Sequence, residues 1–328
     1  MRPFKFTNAA STSTAVNLIS KNTNAHFLAG GTNLLDLMKE DVEHPDELIN
    51  IGNLKLSGIT QLPNGGLSIG ALGKNTDAAN HPMVRKNFPL LTKAILAGAS
   101  AQIRNMATNG GNLLQRTRCT YFYDVAMPCN KREPGSGCGA MEGINRMHAI
   151  FGWSPSCIAV YPSDMAVALL ALNAKVKVMQ ADGKERKIAF EDFHRLPGDQ
   201  PQKDNNLQHA DLITAIEIPP NNFAAHSAYL KVRDRNSYAF ALVSVASGLV
   251  MEGSNITSAH IAMGGVAHKP WPVKEAEDFL KGKQATEANF SAAADIAMRD
   301  AKPLEYNKFK VELGKRTITN ALQIAAKG

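Results

Sequence analysis

The chain contains 328 residues, of which 44% are hydrophobic and 20% are charged, and its formal net charge is +7. This composition is typical of soluble globular proteins and excludes a mainly disordered chain, and the length predicts about two domains. The basic residues are scattered without a nucleic-acid-binding motif, and the longest apolar run, between Asp164 and Asn173, is too short to span a bilayer.

The first part of the chain alternates short helical and strand patterns around a glycine pair. Apolar spacing predicts, in order, a helix at residues 13–21, a strand at 25–28, a helix at 34–39 and a strand at 47–51. The turn Gly30-Gly31-Thr32-Asn33 interrupts this series before the second helix. Glycine turns at helix N-termini expose backbone N–H groups that bind phosphate, so we predict a pyrophosphate site here. A simple tight turn is the alternative, because neither G-x-G-x-x-G nor a Walker A sequence is present.

A second glycine pair, Gly110-Gly111, lies beside Thr108, Asn109 and Asn112. We predict that this pair also exposes backbone donors, next to hydroxyl and amide groups, with an ordinary turn as the alternative. The elements predicted before it are a β-hairpin around Asn64-Gly65-Gly66 and helices at residues 76–79 and 89–97.

All four cysteines lie in one stretch of the chain, at Cys119, Cys129, Cys138 and Cys157. The stretch is rich in glycine, proline, serine and asparagine and has no helical or strand period. A loop this long needs a tether, which two disulfides, a structural zinc ion or an iron–sulfur cluster would each provide. The intervals of 9, 8 and 18 residues lack the paired C-x2-4-C knuckles of zinc ribbons. The spacing favours a metal, and a cluster in particular, but leaves all three open.

The second half of the chain begins with a helix at residues 165–172, for which Ser163 or Asp164 is a candidate N-cap. A hairpin around Asp182-Gly183 and a strand at residues 212–218 follow. We place a domain boundary at Pro219-Pro220. The elements predicted beyond it are strands at residues 227–232, 239–250 and 256–263 and helices at 271–280, 288–297 and 306–326.

Hydrolytic chemistry lacks support in this sequence. The nine histidines are dispersed without an H-E-x-x-H pattern, and no serine lies in a nucleophile elbow. Four clustered thiols are better explained as metal ligands than as a single nucleophile.

Three motifs in a fixed order carry a resemblance to a known family. They are residues 27–34 (FLAGGTNL), residues 107–113 (ATNGGNL), and Pro162-Ser163-Asp164 before MAVALLAL. In addition, residues 229–233 with 237–246 are similar to the start of that family's C-terminal domain. The chain resembles, over essentially its whole length, the FAD-binding subunits of the xanthine dehydrogenase and aldehyde oxidase family of molybdenum hydroxylases.

The resemblance implies an α+β fold in which residues 1–220 form a two-lobed FAD-binding domain of the PCMH, vanillyl-alcohol-oxidase-like type. Its lobes would be residues 1–55 and 56–220, and an α+β flavoprotein C-terminal domain would occupy residues 221–328. Residues 29–34 would wrap the FAD pyrophosphate through backbone N–H groups. Asp164 would hydrogen-bond the ribityl or nearby hydroxyls. The cofactor-binding residues implied in this way are Phe27, Leu28, Ala29, Gly30, Gly31, Thr32, Asn33, Leu34, Thr108, Gly111, Asn112, Leu113, Asp164 and Lys231.

The cysteine stretch departs from the common family pattern, since it is inserted at residues 114–161 between the second and third motifs. This insertion resembles the one in the minority of family members that carry an additional [4Fe–4S] cluster, among them bacterial periplasmic aldehyde oxidoreductases. The implied ligands are Cys119, Cys129, Cys138 and Cys157. Because the insertion joins two flavin motifs, we expect it to hold the cluster near FAD.

The function implied is that of an electron-transferring flavoprotein subunit. It would work with a molybdenum-cofactor-binding large subunit that oxidises an aldehyde and with a [2Fe–2S] small subunit, and would pass electrons from FAD to an external acceptor. The alternatives are a zinc- or disulfide-stabilised binding module and a free-standing flavin oxidase.

The N-terminal residues include Arg2 and Lys5 but no following apolar segment, so we expect no removable secretory signal. Export would then depend on a partner. The resemblance favours a periplasmic location reached in a folded complex on a partner's twin-arginine signal, with the cytoplasm as the alternative.

Overall fold

A computed structural model describes the whole chain, residues 1–328. A three-stranded sheet with order β1-β3-β2 and two parallel pairings lies at the N-terminal end. Its strands alternate with helices, as parallel strands require. The elements are β1 (Lys5–Asn8), α1 (Thr12–Ile19), β2 (Ala25–Leu28), α2 (Leu34–Lys39) and β3 (Glu47–Asn50).

A five-stranded antiparallel sheet with order β4-β5-β8-β6-β7 follows. Both predicted hairpins are confirmed, and their turns contain Gly65 at φ +86° and Gly183 at φ +80°, where glycine avoids steric strain. The elements are β4 (Ile59–Gln61), β5 (Leu67–Gly70), α3 (Asn75–Asn80), α4 (Pro82–Asn87), α5 (Pro89–Ala97), α6 (Ala101–Met106), α7 (Asn109–Leu113), α8 (Thr120–Tyr123), α9 (Asp164–Ala171), β6 (Lys175–Met179), β7 (Glu185–Ala189), α10 (Phe190–Phe193) and β8 (Leu212–Ile218).

The helix α9 is buried along its entire length and forms the centre of the largest hydrophobic core. It begins at Ser163, whose Oγ accepts the N–H of Ala166 at 3.0 Å. Ser163 is therefore the N-cap, and Asp164 occupies the first helical position with its carboxylate available for other contacts.

The C-terminal part contains an antiparallel sheet with order β12-β11-β10-β9. It has four strands rather than the three predicted, because Trp271–Pro272 pairs with Ala262 and Met263. Of the three helices in this part, two pack on the sheet and the third packs on those two helices, and α5 and α9 pack against the sheet from the first part of the chain. The elements are β9 (Ser227–Val232), β10 (Val243–Glu252), β11 (Asn255–Gly264), β12 (Trp271–Pro272), α11 (Lys274–Leu280), α12 (Glu287–Met298) and α13 (Phe309–Lys327).

The cysteine stretch, predicted to lack regular elements, contains the single-turn helix α8 and an isolated antiparallel bridge between Cys129 and Cys138. Its far end packs on the C-terminal core through Ile150 and Phe151. No helix in the structure is both long and apolar enough to span a membrane. The division into residues 1–220, with lobes 1–55 and 56–220, and residues 221–328 stays a prediction.

Candidate functional site

One large cavity of about 1360 Å³ lies between the three sheets. This volume exceeds the range of roughly 300–1,000 Å³ that is usual for drug-sized ligands, so the cavity suits a long cofactor. All of the predicted cofactor-binding residues except Leu113 line this cavity. Those that do are Phe27, Leu28, Ala29, Gly30, Gly31, Thr32, Asn33, Leu34, Thr108, Gly111, Asn112, Asp164 and Lys231.

The first glycine turn presents an unbroken series of free backbone donors to this cavity. None of the N–H groups of residues 29–34 donates a hydrogen bond to another protein atom. The buried Nδ2 of Asn33 also has no partner, whereas its Oδ1 accepts the backbone N–H of Arg116 at 2.8 Å. Buried polar groups are almost always hydrogen-bonded, so these donors indicate a ligand rich in acceptors, such as a pyrophosphate.

The two glycines of this turn are required for different reasons. Gly31 has φ +71°, a left-handed conformation that favours glycine. A Cβ on Gly30 would lie 2.2 Å from the carbonyl oxygen of Met106, so Gly30 permits close packing of the turn against the end of α6.

The second glycine pair differs from the prediction. Residues 109–113 form the helix α7, with Thr108 as its N-cap, and the N–H groups of this region are used inside the protein. Gly110 donates to Ala71 O at 2.7 Å, and Gly111 donates to Thr108 Oγ1 at 3.2 Å. The prediction that this pair exposes backbone donors is therefore wrong. This side of the cavity offers side-chain groups and close backbone packing instead.

Leu113 belongs to the core rather than to the cavity wall. Its side chain is buried in the largest hydrophobic cluster. Its carbonyl accepts the Tyr161 hydroxyl at 2.9 Å and lies 3.0 Å from His194 Nε2. The residue fixes the end of α7, and its side chain is not positioned to contact a ligand in the cavity.

Asp164 lies at the cavity wall and is held by two groups from β9. Its Oδ1 accepts the Tyr229 hydroxyl at 2.6 Å, and its Oδ2 lies 2.8 Å from Lys231 Nζ. Burial, together with the Asp164 carboxylate, raises the pKa of Tyr229, so this hydroxyl stays protonated and donates. A carboxylate has about four acceptor sites, so Asp164 retains capacity for a cofactor hydroxyl.

A charged network that the sequence analysis did not identify closes another side of the cavity. Arg116 contacts Glu43 and donates from Nε to Asp204 Oδ2 at 2.8 Å. Lys131, buried beside Cys129, donates to Asp204 Oδ1 at 2.5 Å and to Pro201 O at 2.7 Å. Although burial opposes ionisation, Lys131 and Arg116 hold the pKa of Asp204 well below its usual range. No local pattern in the sequence predicts these contacts between residues 70 or more positions apart.

The four cysteines converge on a second, much smaller cavity. Cys119, Cys129, Cys138 and Cys157 all line it, and all four are free thiols. Burial raises the pKa of Cys119 to about 12 and that of Cys157 to about 11, so these thiols ionise only beside a strong positive charge such as a metal centre. No group of three or more histidine, cysteine, aspartate and glutamate side chains is arranged to hold a metal ion.

The two cavities share one segment of chain, residues 116–119. Arg116 and Arg118 line the large cavity, whereas Thr117 and Cys119 line the small one. Successive residues of this segment therefore face opposite cavities, and this short stretch of chain forms a wall between them.

Comparison with known families identifies the class of protein that this fold and cavity belong to. The family described as "FAD binding domain in molybdopterin dehydrogenase" matches residues 2–221, and the "CO dehydrogenase flavoprotein C-terminal domain" matches residues 227–324. The chain belongs to this family of FAD-binding subunits of molybdenum-containing oxidoreductases. The family and the α+β fold predicted from the sequence are thereby confirmed.

Individual relatives narrow the class. The chain is 50% identical over 299 residues to the aldehyde oxidoreductase FAD-binding subunit PaoB of Escherichia coli (strain K12). The aligned residues cover 91% of this chain and 90% of that relative. It is 29% identical over 296 residues to the glyceraldehyde dehydrogenase medium chain of Sulfolobus acidocaldarius, covering 90% and 86% respectively. The chain is thus an FAD-binding medium subunit of the aldehyde oxidoreductase and xanthine dehydrogenase type.

Solved structures agree in fold over the whole length. Quinoline 2-oxidoreductase from Pseudomonas putida 86 superimposes with a TM-score of 0.77 at 24% identity, covering 100% of this chain and 98% of that one. Carbon monoxide dehydrogenase from Hydrogenophaga pseudoflava gives a TM-score of 0.76 at 25% identity, covering 99% and 98%.

Proposed function

We propose that this chain is the electron-transferring FAD and [4Fe–4S] subunit of a molybdenum-dependent aldehyde oxidoreductase. The observation that carries the proposal is the shared wall at residues 116–119, where one short stretch of chain separates the cofactor cavity from the four-thiol cavity. Two redox groups bound there would be neighbours. This adjacency favours electron transfer inside one subunit over a module in which the thiols serve only to stabilise a loop.

The residues present fit FAD. The free N–H groups of residues 29–34 suit its pyrophosphate, and the unpartnered Asn33 Nδ2 adds a further donor. Asp164, fixed by Tyr229 and Lys231, suits a hydroxyl of the polyol chain.

The four thiols suit an iron–sulfur cluster in number and type, and the paired C-x2-4-C knuckles of zinc ribbons are absent from their spacing. Four cysteines around one cavity match the ligation of a [4Fe–4S] cluster by four thiolates. When bound, FAD supplies one- and two-electron redox chemistry, and the cluster supplies one-electron chemistry.

The proposed partners are a molybdenum-cofactor-binding large subunit and a [2Fe–2S] small subunit. The names of the similar proteins, "FAD-binding subunit" and "medium chain", describe parts of larger enzymes and support this assembly. Oxidation of an aldehyde to the carboxylic acid releases two electrons, which this subunit would pass to an acceptor outside the complex.

The proposed location is the periplasm, reached by co-export with a partner subunit. The likeness of the cysteine insertion to that of periplasmic family members supports this proposal. Fractionation of cells that express the chain with and without its genomic neighbours tests it. We expect periplasmic recovery only when the neighbours are present, and recovery in the cytoplasm under both conditions would contradict it.

Purification of the chain together with its genomic neighbours tests the proposed function. We expect flavin absorption bands, four iron atoms per copy of this chain beyond those of the small subunit, and molybdenum in the complex. A flavin-containing protein that purifies without partners or molybdenum would indicate the free-standing oxidase. Flavin without the additional iron would contradict the cluster.

A further inference from the structure

The side chain of His148 lies directly against one of the four thiols. Its Nε2 is 3.1 Å from Cys119 Sγ, although the two residues come from opposite ends of the cysteine stretch. His148 is 4% exposed, so water does not compete for this contact. Neither the spacing of the cysteines nor any histidine motif predicts the pair.

The geometry determines which atom donates in this contact. A cysteine bound to iron has lost its proton, so in the loaded protein only the imidazole can donate. The other ring nitrogen, Nδ1, is buried and makes no hydrogen bond, and the nearby carbonyl of Asn145 already accepts the backbone N–H of His148 at 3.0 Å. A proton on Nδ1 would leave a buried donor unpaired and would turn the Nε2 lone pair towards the sulfur. The tautomer with the proton on Nε2 avoids both costs.

The backbone of His148 is held from the C-terminal part of the chain. Lys310 Nζ donates to His148 O at 2.9 Å and to Met147 O at 3.0 Å. Asn307 Nδ2 donates to His148 O and Ala149 O, each at 3.2 Å. Both donors are fully buried, so the backbone that carries the imidazole is held in place.

We propose that His148 is a positioning residue whose Nε2–H donates to the Cys119 thiolate and raises the reduction potential of the [4Fe–4S] cluster. Reduction adds negative charge to the cluster and its sulfurs, so a hydrogen bond to a ligand sulfur stabilises the reduced form more than the oxidised form. The inference rests on the proposed function, because it requires that the four cysteines hold a cluster.

The test is a redox titration of the purified complex, followed by electron paramagnetic resonance of the reduced cluster. His148→Phe keeps the ring volume and removes the donor, whereas His148→Gln keeps an N–H at similar reach. At the wild-type midpoint potential, we expect His148→Phe to lower the ratio of reduced to oxidised cluster about tenfold, which for one electron is a shift of about 59 mV. His148→Gln should shift less. The control is His260→Phe, which replaces a histidine that contacts Phe223 and Ser258 and should leave the potential unchanged.

A second readout is independent of stability. With histidine labelled by nitrogen-15, pulsed resonance of the reduced cluster should detect a nitrogen coupling in the wild type that is absent in His148→Phe. An unchanged potential in His148→Phe with full iron content would overturn the inference and leave the proposed function intact. Absence of the additional cluster from the wild-type complex would overturn the proposed function itself. If His148→Phe loses iron, His148→Gln becomes the deciding variant. A cluster retained in His148→Gln supports the role of residue 148 as a donor, and loss of the cluster from both variants contradicts it.

Discussion

Asp164 connects α9 to β9 at the wall of the flavin cavity. Its carboxylate pairs with Lys231, and the two side chains are 8% and 4% exposed. A buried lysine without its partner is an uncompensated charge, which typically costs about 3–5 kcal/mol. The pair therefore stabilises the junction between the two parts of the chain and also presents a fixed acceptor to the cavity.

Asp164→Asn should lower the free energy of unfolding by about 3 kcal/mol, because Lys231 loses its partner. Denaturant unfolding of the isolated chain measures this. Asp182→Asn is the matched control, since Asp182 pairs with Lys184 at the surface and its loss should leave the free energy of unfolding nearly unchanged. Equal losses in the two variants would contradict the structural role assigned to Asp164.

Gly31→Val should abolish FAD binding, since the turn that forms the cradle of residues 29–34 has Gly31 in a left-handed conformation that valine disfavours, and its shape would change. The substitution also strains the backbone at φ +71° and places a Cβ 2.8 Å from Leu35 Cδ1, so lost stability must be separated from lost binding. Gly65→Val is the control, because Gly65 has φ +86° and no neighbouring atoms within 4 Å. Flavin content and melting temperature of both variants distinguish the effects. Stoichiometric FAD in folded Gly31→Val would count against this site.

Cys129→Ser should remove the additional iron and its resonance signal while at least part of the flavin remains bound. The reason is that Cys129 lines the small cavity and does not line the large one. Iron and flavin assays measure the outcome. Met127→Ser makes the same polar change at an exposed position of the same loop and should retain both. Wild-type iron content in Cys129→Ser would contradict its assignment as a ligand.

At the scale of elements, the sequence predicts best the parts that local rules determine. The hairpin at Asn64-Gly65-Gly66 and the strand at residues 212–218 follow from turn chemistry and apolar patterning, and both are confirmed. The helix α7 does not follow, because glycine disfavours helices. It forms because Thr108 caps it and because Asn109 and Gly110 are bonded to β5 and the residues after it. Tertiary contacts override propensity there.

The contacts of α13 were not predictable for a related reason. Lys310 and Asn307 lie near its start and bind carbonyls about 160 positions away, so no sequence window contains both partners. Lys310 Nζ donates to three carbonyls, those of Met147, His148 and Gly265, and no carboxylate pairs with it. Burial, with a smaller contribution from Arg146, lowers the pKa of Lys310 to about 7.

This pKa predicts a pH dependence of stability. Between pH 7 and about 10.4, the unfolded chain binds a proton at Lys310 that the folded chain has released, so raising the pH stabilises the fold. The slope from this group approaches about 1.4 kcal/mol per pH unit. Lys310→Met should remove the increase, as measured by unfolding at pH 7 to 9.5. Lys315→Met, at an exposed position of the same helix, should retain it. Identical profiles for the wild type and Lys310→Met would contradict this account.

At the scale of the whole molecule, the cysteine stretch connects the two parts of the chain. Lys131 binds Asp204 in the wall of the flavin cavity, and Ile150 and Phe151 pack in the C-terminal core. From residue 123 to residue 147 the loop exposes Val125, Met127 and Ile144, and the apolar residues that it buries are only Cys129 and Ala140. The four-thiol cavity is therefore a candidate, beside the hydrogen bonds within the loop, for what orders its central part.

On the proposed ligation, removal of iron should loosen this loop while the rest of the fold stays ordered. Trypsin should then cleave the chelator-treated complex after Arg132 and Arg146 faster than it cleaves the untreated complex. The Arg132 side chain is held only by carbonyls of the same loop, and the Arg146 side chain is held by an ion pair with Asp234. Lys184, in the exposed turn between β6 and β7, supplies an internal control whose cleavage rate should not change. Mass spectrometry of the fragments over time measures the three rates. Equal rates at Arg132 with and without iron would mean that protein contacts alone order the loop, and the thiols would then need another explanation.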